Sequence, residues 1–539
     1  MNDFRLSDEQ RLVATSEKKD LLVIAPPGCG KTEVLAHRAA QQIDSLERNQ
    51  KVLALTFTNR ARLNLEERLR SVLGYVRGRR QVVVRNFHGF ATEIVLSHGR
   101  TIGLNVESIK LPRTNTLRQV IEEAGAQGNI VYRVEQILSE IKRNPFSDAE
   151  VIAAIRECSP EQGSSIAIRV ERSRQTANQL HYNDLLRHAQ RLLRIPAIAR
   201  LYQAHFGAVL VDEFQDLSVQ QLDLALLSCA SRRTFAGDPL QGIYSWAGAA
   251  PKQVEEKIRQ ICGDPVRLHE SYRSSPKALE AVNSISELID PNSKLTSAQP
   301  EQWPGGGCTA SLVFRDQVIE ANRLMNLAKI ILERNPQTSI GIISRAGWRR
   351  ETIDVMFANE KSLPVRRWDL AIDDPEIVSL IQSTVAALPR GTTITEAKSA
   401  VLAVVDPADI ETHELVNDAF NTLERTSATT AKAAVQAIKV ADPKQVVGSG
   451  VHLLNAHTGK GQQFDWIFLI GIEEGHVPGR RNSHGDALAE EQRVLLVMLS
   501  RARHGLVITC TRQPSRWWSE IRVDFSSLTD IETYLNANL

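Results

Sequence analysis

The chain has 539 residues, more than one hydrophobic core accommodates, so its length suggests roughly three or four domains. Apolar residues make up 42% of it and charged residues 24%, which is typical of globular proteins and argues against disorder. The formal net charge of +2 is close to neutral, so any contact with nucleic acid must come from local basic patches.

The cysteines and the N-terminal segment indicate the cellular compartment of the protein. The six cysteines are scattered, with no pair at metal-ligand spacing and no dense framework of the secreted kind. The N-terminal segment MNDFRLSDEQRLVA lacks a basic region followed by an apolar run, and no stretch approaches about eighteen uninterrupted apolar residues. These patterns predict a reduced, cytoplasmic protein without structural zinc and without a membrane span.

Short apolar runs alternate with helix-period segments in two sets. The first set is Leu21 to Ala25, Val52 to Phe57, Gln81 to Phe87, Ala208 to Asp212 and Thr234 to Gly237. The second set is Ala310 to Phe314, Ser339 to Ser344, Val451 to Asn455, Trp466 to Ile470 and Gly505 to Cys510. Such alternation predicts an α/β fold with two parallel-sheet cores.

Each predicted core is interrupted by a stretch of helical spacing with few strand signals. We expect the first core at 1–92 and 181–275, with a helical insertion at 93–180. The second core is expected at 276–374 and 442–539, with a reduced helical insertion at 375–441. The breaker-rich segment PEQWPGGG predicts a loop near the start of the second core.

A glycine-rich loop follows the first predicted strand. LLVIAPPGCGKT runs into a helical pattern, and G-x-G-K-T between a strand and a helix is typical of a phosphate-binding loop. Glycines let backbone N–H groups converge on phosphate, Lys31 is expected to reach the β/γ-phosphates, and the Thr32 hydroxyl is expected to bind Mg²⁺. The expected ATP-binding residues of the loop are Ala25, Pro26, Pro27, Gly28, Cys29, Gly30, Lys31 and Thr32.

The segment VLVDEFQD supplies the acidic partner that a phosphate loop needs. Apolar residues lead into Asp212, the expected second Mg²⁺ ligand, and Glu213, the expected general base. The alternative is a surface acidic turn after a strand. Together with the phosphate loop, the segment predicts a hydrolytic ATP site.

DEFQD, with AGDPLQGIYSWAGA shortly after it, resembles the superfamily 1 helicases of the UvrD/Rep/PcrA type. The resemblance covers nearly the whole chain in the family's order, through LSDEQ, TFTNRA, NFHGF, ESYRSS, NAHTGKGQQFDWIFLIGIEEG and EQRVLLVMLSRARHGLVI. It implies two RecA-like motor domains, each interrupted by a mainly helical insertion, that close on ATP and move 3′ to 5′ on DNA.

The resemblance assigns roles around the nucleotide. Gln10 and Tyr272 would contact adenine, Gln463 would lie on the nucleotide, and Gln241 would sense the γ-phosphate. Arg273 and Arg501 match the arginine-finger positions, where such a residue is worth roughly 10³ to 10⁵ in rate. The alternative for each arginine is an ordinary surface or salt-bridging role.

Single strands are held by aromatic platforms, each stacked base contributing about 1–3 kcal/mol. The candidate platforms are Phe57, Phe87, Tyr244 and Trp246. By resemblance, further DNA contacts fall to Thr58, Asn59, Arg60, His88 and His457. An aromatic beside a strand end is more often part of the core, and a lone histidine is ordinarily structural. The arginine-rich stretch from Arg60 to Arg80 is either a solvated helix face or a phosphate contact.

Three positions depart from the family: Glu33 and Ala247 stand where relatives carry arginine, and Gln463 replaces a glutamate. The second insertion is also shorter than in full-length unwinding members, which favours translocation over strand separation. This compact form resembles the helicase subunit of Gabija-type antiphage systems.

Three functions remain open. The first is a DNA-stimulated ATPase acting on single-stranded DNA or a tailed duplex. The second is a DNA- or nucleotide-sensing ATPase subunit that regulates a separate nuclease in an antiphage or repair complex. The third is an NTPase scaffold without nucleic acid.

Overall fold

The computed structural model describes residues 6–111, 120–121, 124–126, 129–158, 162–244, 248–360, 362–367, 375–405, 410–424, 430–436 and 448–538. It contains two six-stranded parallel sheets flanked by helices, which confirms the α/β fold with two sheet cores. No helix in the described part of the chain is long and apolar enough to cross a membrane.

The first sheet consists of β1 (Leu21–Ile24), β2 (Lys51–Thr56), β3 (Val82–Asn86), β4 (Phe206–Asp212), β5 (Arg233–Gly237) and β6 (Val266–Arg267). Its order is β3-β2-β4-β5-β1-β6, and all its pairs are parallel. Alternate residues enter two apolar cores, Leu22 and Ile24 in one and Leu21 and Val23 in the other. Burial on both faces explains why the inner strands β1 and β4 are largely continuous apolar runs.

The helices before β4 follow in chain order. Four of them accompany the first three strands: α1 (Asp8–Ala14), α2 (Lys31–Asp44), α3 (Asn59–Leu73) and α4 (Tyr75–Gln81). Between β3 and β4 the described residues include α5 (Phe87–His98), α6 (Asn129–Ile141), α7 (Asp148–Glu157), α8 (Gln162–Thr176), α9 (Tyr182–Leu193) and α10 (Pro196–His205). Helices α6 to α8 share a core of their own, which includes Val134, Val151 and Val170.

A buried ionic cluster ties this helical group to α9. The Asp184 carboxylate lies 2.8 Å from the Lys142 ammonium and 2.8 Å from the Arg174 guanidinium. All three side chains are almost fully buried, so each needs the others to offset the cost of leaving water. The cluster fixes the insertion relative to the first sheet.

Helix α11 (Val219–Ser228) connects β4 to β5, and α12 (Pro251–Cys262) connects β5 to β6. The chain then passes to the second sheet through the short parallel pair β7 (Glu270–Ser271) and β8 (Thr296–Ser297), with α13 (Pro276–Ile289) between them. The Tyr272 backbone N–H donates to the Gly28 carbonyl of the first sheet's glycine loop (3.0 Å). The Ser274 hydroxyl donates to the Ala502 carbonyl of the second sheet (2.8 Å). Arg273 therefore stands between a contact to the first sheet and a contact to the second.

The second sheet consists of β9 (Cys308–Val313), β10 (Ser339–Ser344), β11 (Val365–Arg367), β12 (Gly450–Asn455), β13 (Phe464–Ile470) and β14 (Ala502–Cys510), in the order β11-β12-β10-β13-β14-β9. All its pairs are parallel. Its helices are α14 (Gln317–Arg334), α15 (Gly347–Asn359), α16 (Pro375–Ala387), α17 (Ile394–Val404), α18 (Ile410–Glu424), α19 (Ala431–Gln436), α20 (Gly485–Leu499) and α21 (Leu528–Asn538).

All ten predicted strands are present, with ends shifted by at most three residues. The short strands β6, β7, β8 and β11 were not predicted, because two or three residues are too few to show a period. Helices α6 to α8 and α16 to α19 lie within the two predicted insertions, and α16 to α19 pack around a shared apolar core. The domain boundaries themselves stay a prediction.

Candidate nucleotide site and nucleic-acid interface

The glycine loop lies between β1 and α2, at the carboxyl edge of the first sheet. Gly28 (φ 88°) and Gly30 (φ 77°) are both left-handed, a conformation that favours glycine. A β-carbon at Gly30 would lie 2.5 Å from Nε2 of Gln10, and one at Gly28 would lie 2.7 Å from Cβ of Arg273. The loop thus has the tight backbone of a phosphate cradle, and α2 begins at Lys31 with its positive dipole end toward the cleft.

Lys31 pairs with both residues of the acidic motif. Its ammonium lies 3.0 Å from Oδ1 of Asp212 and forms a second ion pair with Glu213. Burial opposes the charge on Lys31, but the two carboxylates outweigh it and hold the lysine pKa above its usual value. Burial also opposes the charge on Glu213, yet Lys31 and Lys460 lower its pKa to about 2. Glu213 is therefore ionised at neutral pH, as a general base must be.

Glu213 has an unusual backbone. Its φ of 57° and ψ of 48° are left-handed, which costs a non-glycine residue on the order of 1–3 kcal/mol. The Gln215 amide donates from Nε2 to the Glu213 carboxylate at 2.5 Å and holds it in place. Strain of this kind is typical of residues whose side chain must be aimed at a reacting group.

A chain of hydrogen bonds runs from the second sheet to Glu213. Arg501 donates from Nη2 to the Gln241 side-chain oxygen (3.2 Å), and Gln241 donates from Nε2 to Asp238 (2.9 Å). The Asp238 backbone N–H donates to the side-chain oxygen of Gln215 (3.0 Å), whose amide reaches Glu213. Arg501 on the second-sheet side is thereby linked through hydrogen bonds to Glu213 on the first-sheet side.

Arg273 and Arg501 both line the cleft opposite Lys31. Burial, reinforced by the charge of Arg501, lowers the pKa of Arg273 to about 9. Burial lowers the pKa of Arg501 to about 10, while its Nε donates to the Val497 carbonyl (2.9 Å). A half-buried and a buried guanidinium group lining one cleft favour an anion there.

The predicted adenine side is partly occupied by the protein's own contacts. Gln10 is buried, donates from Nε2 to the Cys29 carbonyl (3.0 Å) and accepts from the Ser7 N–H (3.1 Å). Its contact with adenine stays a prediction. Tyr272 and Gln463 both line the cleft.

Glu33 stands at a position where the family carries arginine. It is buried and forms an ion pair with Arg68 of α3 at 2.6 Å. Arg68 and Glu33 both line the nucleotide cleft. The charge reversal at Glu33 is thus accompanied by a guanidinium that reaches the cleft from another helix. The sequence contained this arginine, but nothing in its spacing linked it to Glu33.

Lys460 is a residue of the cleft that the sequence analysis did not single out. Its ammonium lies 2.6 Å from the Asp216 carboxylate and donates to the Gln241 carbonyl (2.8 Å). The same ammonium lies 4.5 Å from the centroid of the Tyr244 ring. Lys460 belongs to the loop before β13 of the second sheet, whereas its three partners belong to the first-sheet side of the cleft. Its place between two glycines in TGKGQQF was the available signal.

An aromatic surface begins at Tyr244. Its ring stacks on Phe57, with centroids 5.8 Å apart and an interplanar angle of 23°. His457, which follows β12, lies 6.2 Å from the Tyr244 ring. The structure thus brings together three of the predicted nucleic-acid residues, while Trp246 lies outside the described residues.

The remaining predicted DNA contacts differ in exposure. Thr58 is exposed and caps α3 by accepting from the Ala61 N–H (3.1 Å), and Asn59 accepts from Asn86. Arg60 and His88 are half-buried, and burial lowers the His88 pKa to about 4.

The prediction for Phe87 is wrong. Its side chain has no exposed surface and packs in the core of the first sheet with Phe90 and Ile94. The Asn86 side chain caps α5, and the residue after the cap turns inward with the apolar face of that helix. Phe87 therefore stabilises the fold and cannot stack on a base here.

The arginine-rich stretch is largely ion-paired. Arg62 pairs with Glu66 (3.0 Å), Arg68 with Glu33, and Arg77 with Asp44. Arg77 therefore fits the solvated-face interpretation, whereas Arg68 lines the nucleotide cleft.

The cleft between the sheets has a volume of about 500 Å³, within the range of roughly 300–1,000 Å³ usual for small-molecule sites. Its lining carries the glycine loop, the lysine, the acidic pair and the two arginines. A nucleoside triphosphate fits this donor set, because cationic groups and backbone N–H groups surround the space beyond Gly30. The fold and the site define a helicase-type ATPase.

Comparison with known proteins gives the family. Residues 6–261 match the UvrD/REP helicase N-terminal domain, and residues 402–513 match the UvrD-like helicase C-terminal domain. The chain belongs to the UvrD-like helicase family.

Two relatives align with nearly the whole chain. The ATP-dependent DNA helicase UvrD2 of Mycobacterium tuberculosis is 26% identical, over 96% of this chain and 81% of its own length. DNA helicase II of Escherichia coli is 23% identical, over 94% of this chain and 84% of its own. A third, the ATP-dependent DNA helicase UvrD1 of Mycobacterium leprae, is 28% identical over 52% of this chain and 39% of its own length.

Proposed function

We propose that this chain moves 3′ to 5′ along single-stranded DNA in the cytoplasm, unwinds tailed duplexes and hydrolyses ATP between its two sheets. The contacts of Lys460 carry the proposal. One ammonium touches Asp216 near the base, Gln241 on the path to Arg501, and the Tyr244 ring of the aromatic surface. A change in the nucleotide cleft can therefore alter the surface that holds the strand. The polarity rests on membership of the UvrD-like family.

The proposed hydrolysis assigns one task to each cleft residue. Lys31 exchanges its two carboxylate partners for the β- and γ-phosphates, which frees Glu213 to take a proton from the attacking water. Arg273 and Arg501 stabilise the charge that builds on the transferred phosphoryl group. The Thr32 hydroxyl and the Asp212 carboxylate would supply the hard oxygen ligands that Mg²⁺ prefers, and a bound ion would neutralise phosphate charge.

The second candidate function is a DNA- or nucleotide-sensing ATPase subunit that regulates a separate nuclease in an antiphage or repair complex. The observation that favours it is the small size of the second insertion. Between β11 and β12 the described residues form only four helices, of which the longest has 15 residues. Little structure is then available there to separate duplex strands, while the ATP site is complete.

Steady-state ATP hydrolysis with and without single-stranded DNA or RNA tests the proposed activity. We expect single-stranded DNA to raise the rate, and Lys31→Ala to abolish the stimulated rate. Duplexes carrying either a 3′ or a 5′ tail then test polarity, and unwinding of the 3′-tailed duplex alone is expected.

Two experimental outcomes would argue against the proposed motor function or in favour of the regulatory one. Hydrolysis that is indifferent to DNA and RNA would contradict the motor function. Co-purification with a nuclease, together with DNA-stimulated hydrolysis and negligible unwinding of the 3′-tailed duplex, would favour the regulatory subunit.

A further inference from the structure

Trp348 is an exposed indole at the carboxyl edge of the second sheet. It lies in the first turn of α15, just after β10, and 59% of its surface is open to solvent. Its ring meets the His476 ring edge-on, with centroids 5.0 Å apart. His476 is buried and donates from Nδ1 to the Gly471 carbonyl (2.6 Å), so the ring that supports Trp348 is itself fixed.

The backbone that carries Trp348 is held by ion pairs on both sides. Arg345, three residues earlier, makes a bidentate pair with Glu491 at 2.7 and 3.1 Å. The following residue, Arg349, lies 2.8 Å from Glu320 and 2.8 Å from Glu473. Neighbours this firmly anchored leave Trp348 preorganised, so binding a flat ligand would cost little conformational entropy.

Trp348 lies on the same edge as the aromatic surface of the first sheet. In the second sheet β10 pairs with β12 in parallel, so the residues that follow both strands meet at one edge. A β-carbon at Gly347 would lie 3.8 Å from the side chain of Asn455, the last residue of β12. His457 follows two residues later and lies 6.2 Å from Tyr244. The charge of Arg345 reaches His457 as well, lowering its pKa after the larger effect of burial.

We propose that Trp348 stacks on a base of the bound single strand and forms a second platform, on the opposite side of the cleft from Phe57 and Tyr244. The inference rests on the proposed function, since it needs a single strand along this edge. An exposed, rigidly carried indole is suited to base stacking, which is tolerant of sequence. With a platform on each sheet, one domain retains the strand while the other shifts.

The test is the affinity for a fluorescein-labelled oligo(dT) strand, measured by anisotropy on the full chain. Trp348→Ala is expected to weaken binding roughly 5- to 150-fold, the equivalent of one lost stack, and Trp348→Phe to restore most of it. Because a stack neutralises no phosphate, the slope of log Kd against log salt should match that of the wild type. The matched control is Tyr75→Ala, since Tyr75 is 60% exposed but lies between β2 and β3, at the amino end of β3.

The outcomes separate this inference from the function it rests on. A wild-type chain that binds the strand and is stimulated by it, with Trp348→Ala within twofold of its affinity, would overturn the inference alone. A wild-type chain that neither binds single strands nor responds to them would overturn both. Equal loss in Trp348→Ala and Tyr75→Ala would also overturn the platform. Thermal unfolding of Trp348→Ala should match the wild type, because an exposed side chain contributes little to the core.

Discussion

Lys460 and Asp216 form a buried ion pair that joins the two sheets across the nucleotide cleft. The ammonium lies 2.6 Å from the carboxylate, and the side chains are only 9% and 4% exposed. Burial raises the pKa of Asp216 to about 6, although Lys460 opposes the change. This contact between the two sides of the cleft thus depends on a carboxylate whose pKa lies near neutral pH.

Lys460→Met should lower the midpoint of thermal unfolding and remove DNA-stimulated hydrolysis. It leaves the Asp216 carboxylate buried without its cation, which costs about 3–5 kcal/mol. The double variant Lys460→Met with Asp216→Asn should unfold at a higher temperature than Lys460→Met alone. The control is Lys252→Met, which breaks a pair with Asp486 that also spans the two sheets but is 77% and 91% exposed. Equal shifts in both lysine variants would contradict the importance of the buried pair.

Stimulated ATP hydrolysis should fall as the pH drops through about 6, the pKa of Asp216. Below that pH the carboxylate is protonated and no longer attracts Lys460, so the cross-cleft contact weakens. Glu213, with a pKa of about 2, remains ionised and is not the source of the change. The measurement is kcat against pH for the wild type and for Asp216→Asn, which should be slower and should lack this inflection. An unchanged inflection in Asp216→Asn would assign it to another group.

Glu213→Gln should reduce stimulated ATP hydrolysis by about 10² to 10⁴, the usual contribution of a general base. It should still bind ATP, because Lys31, the glycine loop and Asp212 are intact. Rates and nucleotide affinities of the wild type, Glu213→Gln and the exposed control Glu67→Gln provide the comparison. A rate for Glu213→Gln close to that of the control would rule out Glu213 as the base.

Arg501→Ala should lower kcat by roughly 10³ to 10⁵, the range of an arginine finger. It also removes the first donor in the bond chain to Glu213. Arg501→Lys should not restore the rate, since an ammonium lacks the planar fork of a guanidinium. ADP affinity should change little while ATP affinity falls. Arg516→Ala, which breaks a pair with Glu474 on the surface, serves as the control; a similar loss there would refute a specific role.

Phe87→Ala should mainly lower the stability of the fold, whereas Phe57→Ala should mainly weaken DNA binding. Phe87 is fully buried, so its truncation should destabilise the fold by about 3–5 kcal/mol and leave the DNA affinity of folded protein unchanged. Phe57 is half-buried and stacks on Tyr244, so its truncation should weaken DNA binding by about 1–3 kcal/mol with a smaller change in unfolding temperature. Weaker DNA binding by folded Phe87→Ala would contradict its assignment to the core.

The sequence was informative where chemistry depends on short local patterns. The glycine loop, the acidic pair at Asp212 and both arginines follow the family's order, and the structure gathers them in one cleft. The strands were predictable because parallel strands buried on both faces are continuous apolar runs.

Contacts between distant segments were not predictable. Lys460 and Asp216 are 244 positions apart, and Glu33 meets an arginine of the next helix without any shared pattern. Phe87 was misassigned because NFHGF was compared with a family segment, while its spacing with Phe90 and Ile94 placed it on the buried face of α5. For Phe87 the helical spacing of apolar residues predicts burial correctly, whereas the comparison with the family segment did not.

The passage of the chain at Arg273 has a consequence for nucleotide exchange. Tyr272 is bonded to the glycine loop and Ser274 to the second sheet, so the cleft residue Arg273 is held from both sides. Helix α13, which follows it, contributes Leu279 to the core of the first sheet and Ala281 to that of the second. Opening the cleft to release ADP would therefore break apolar packing as well as the contacts of Lys460 and Arg501.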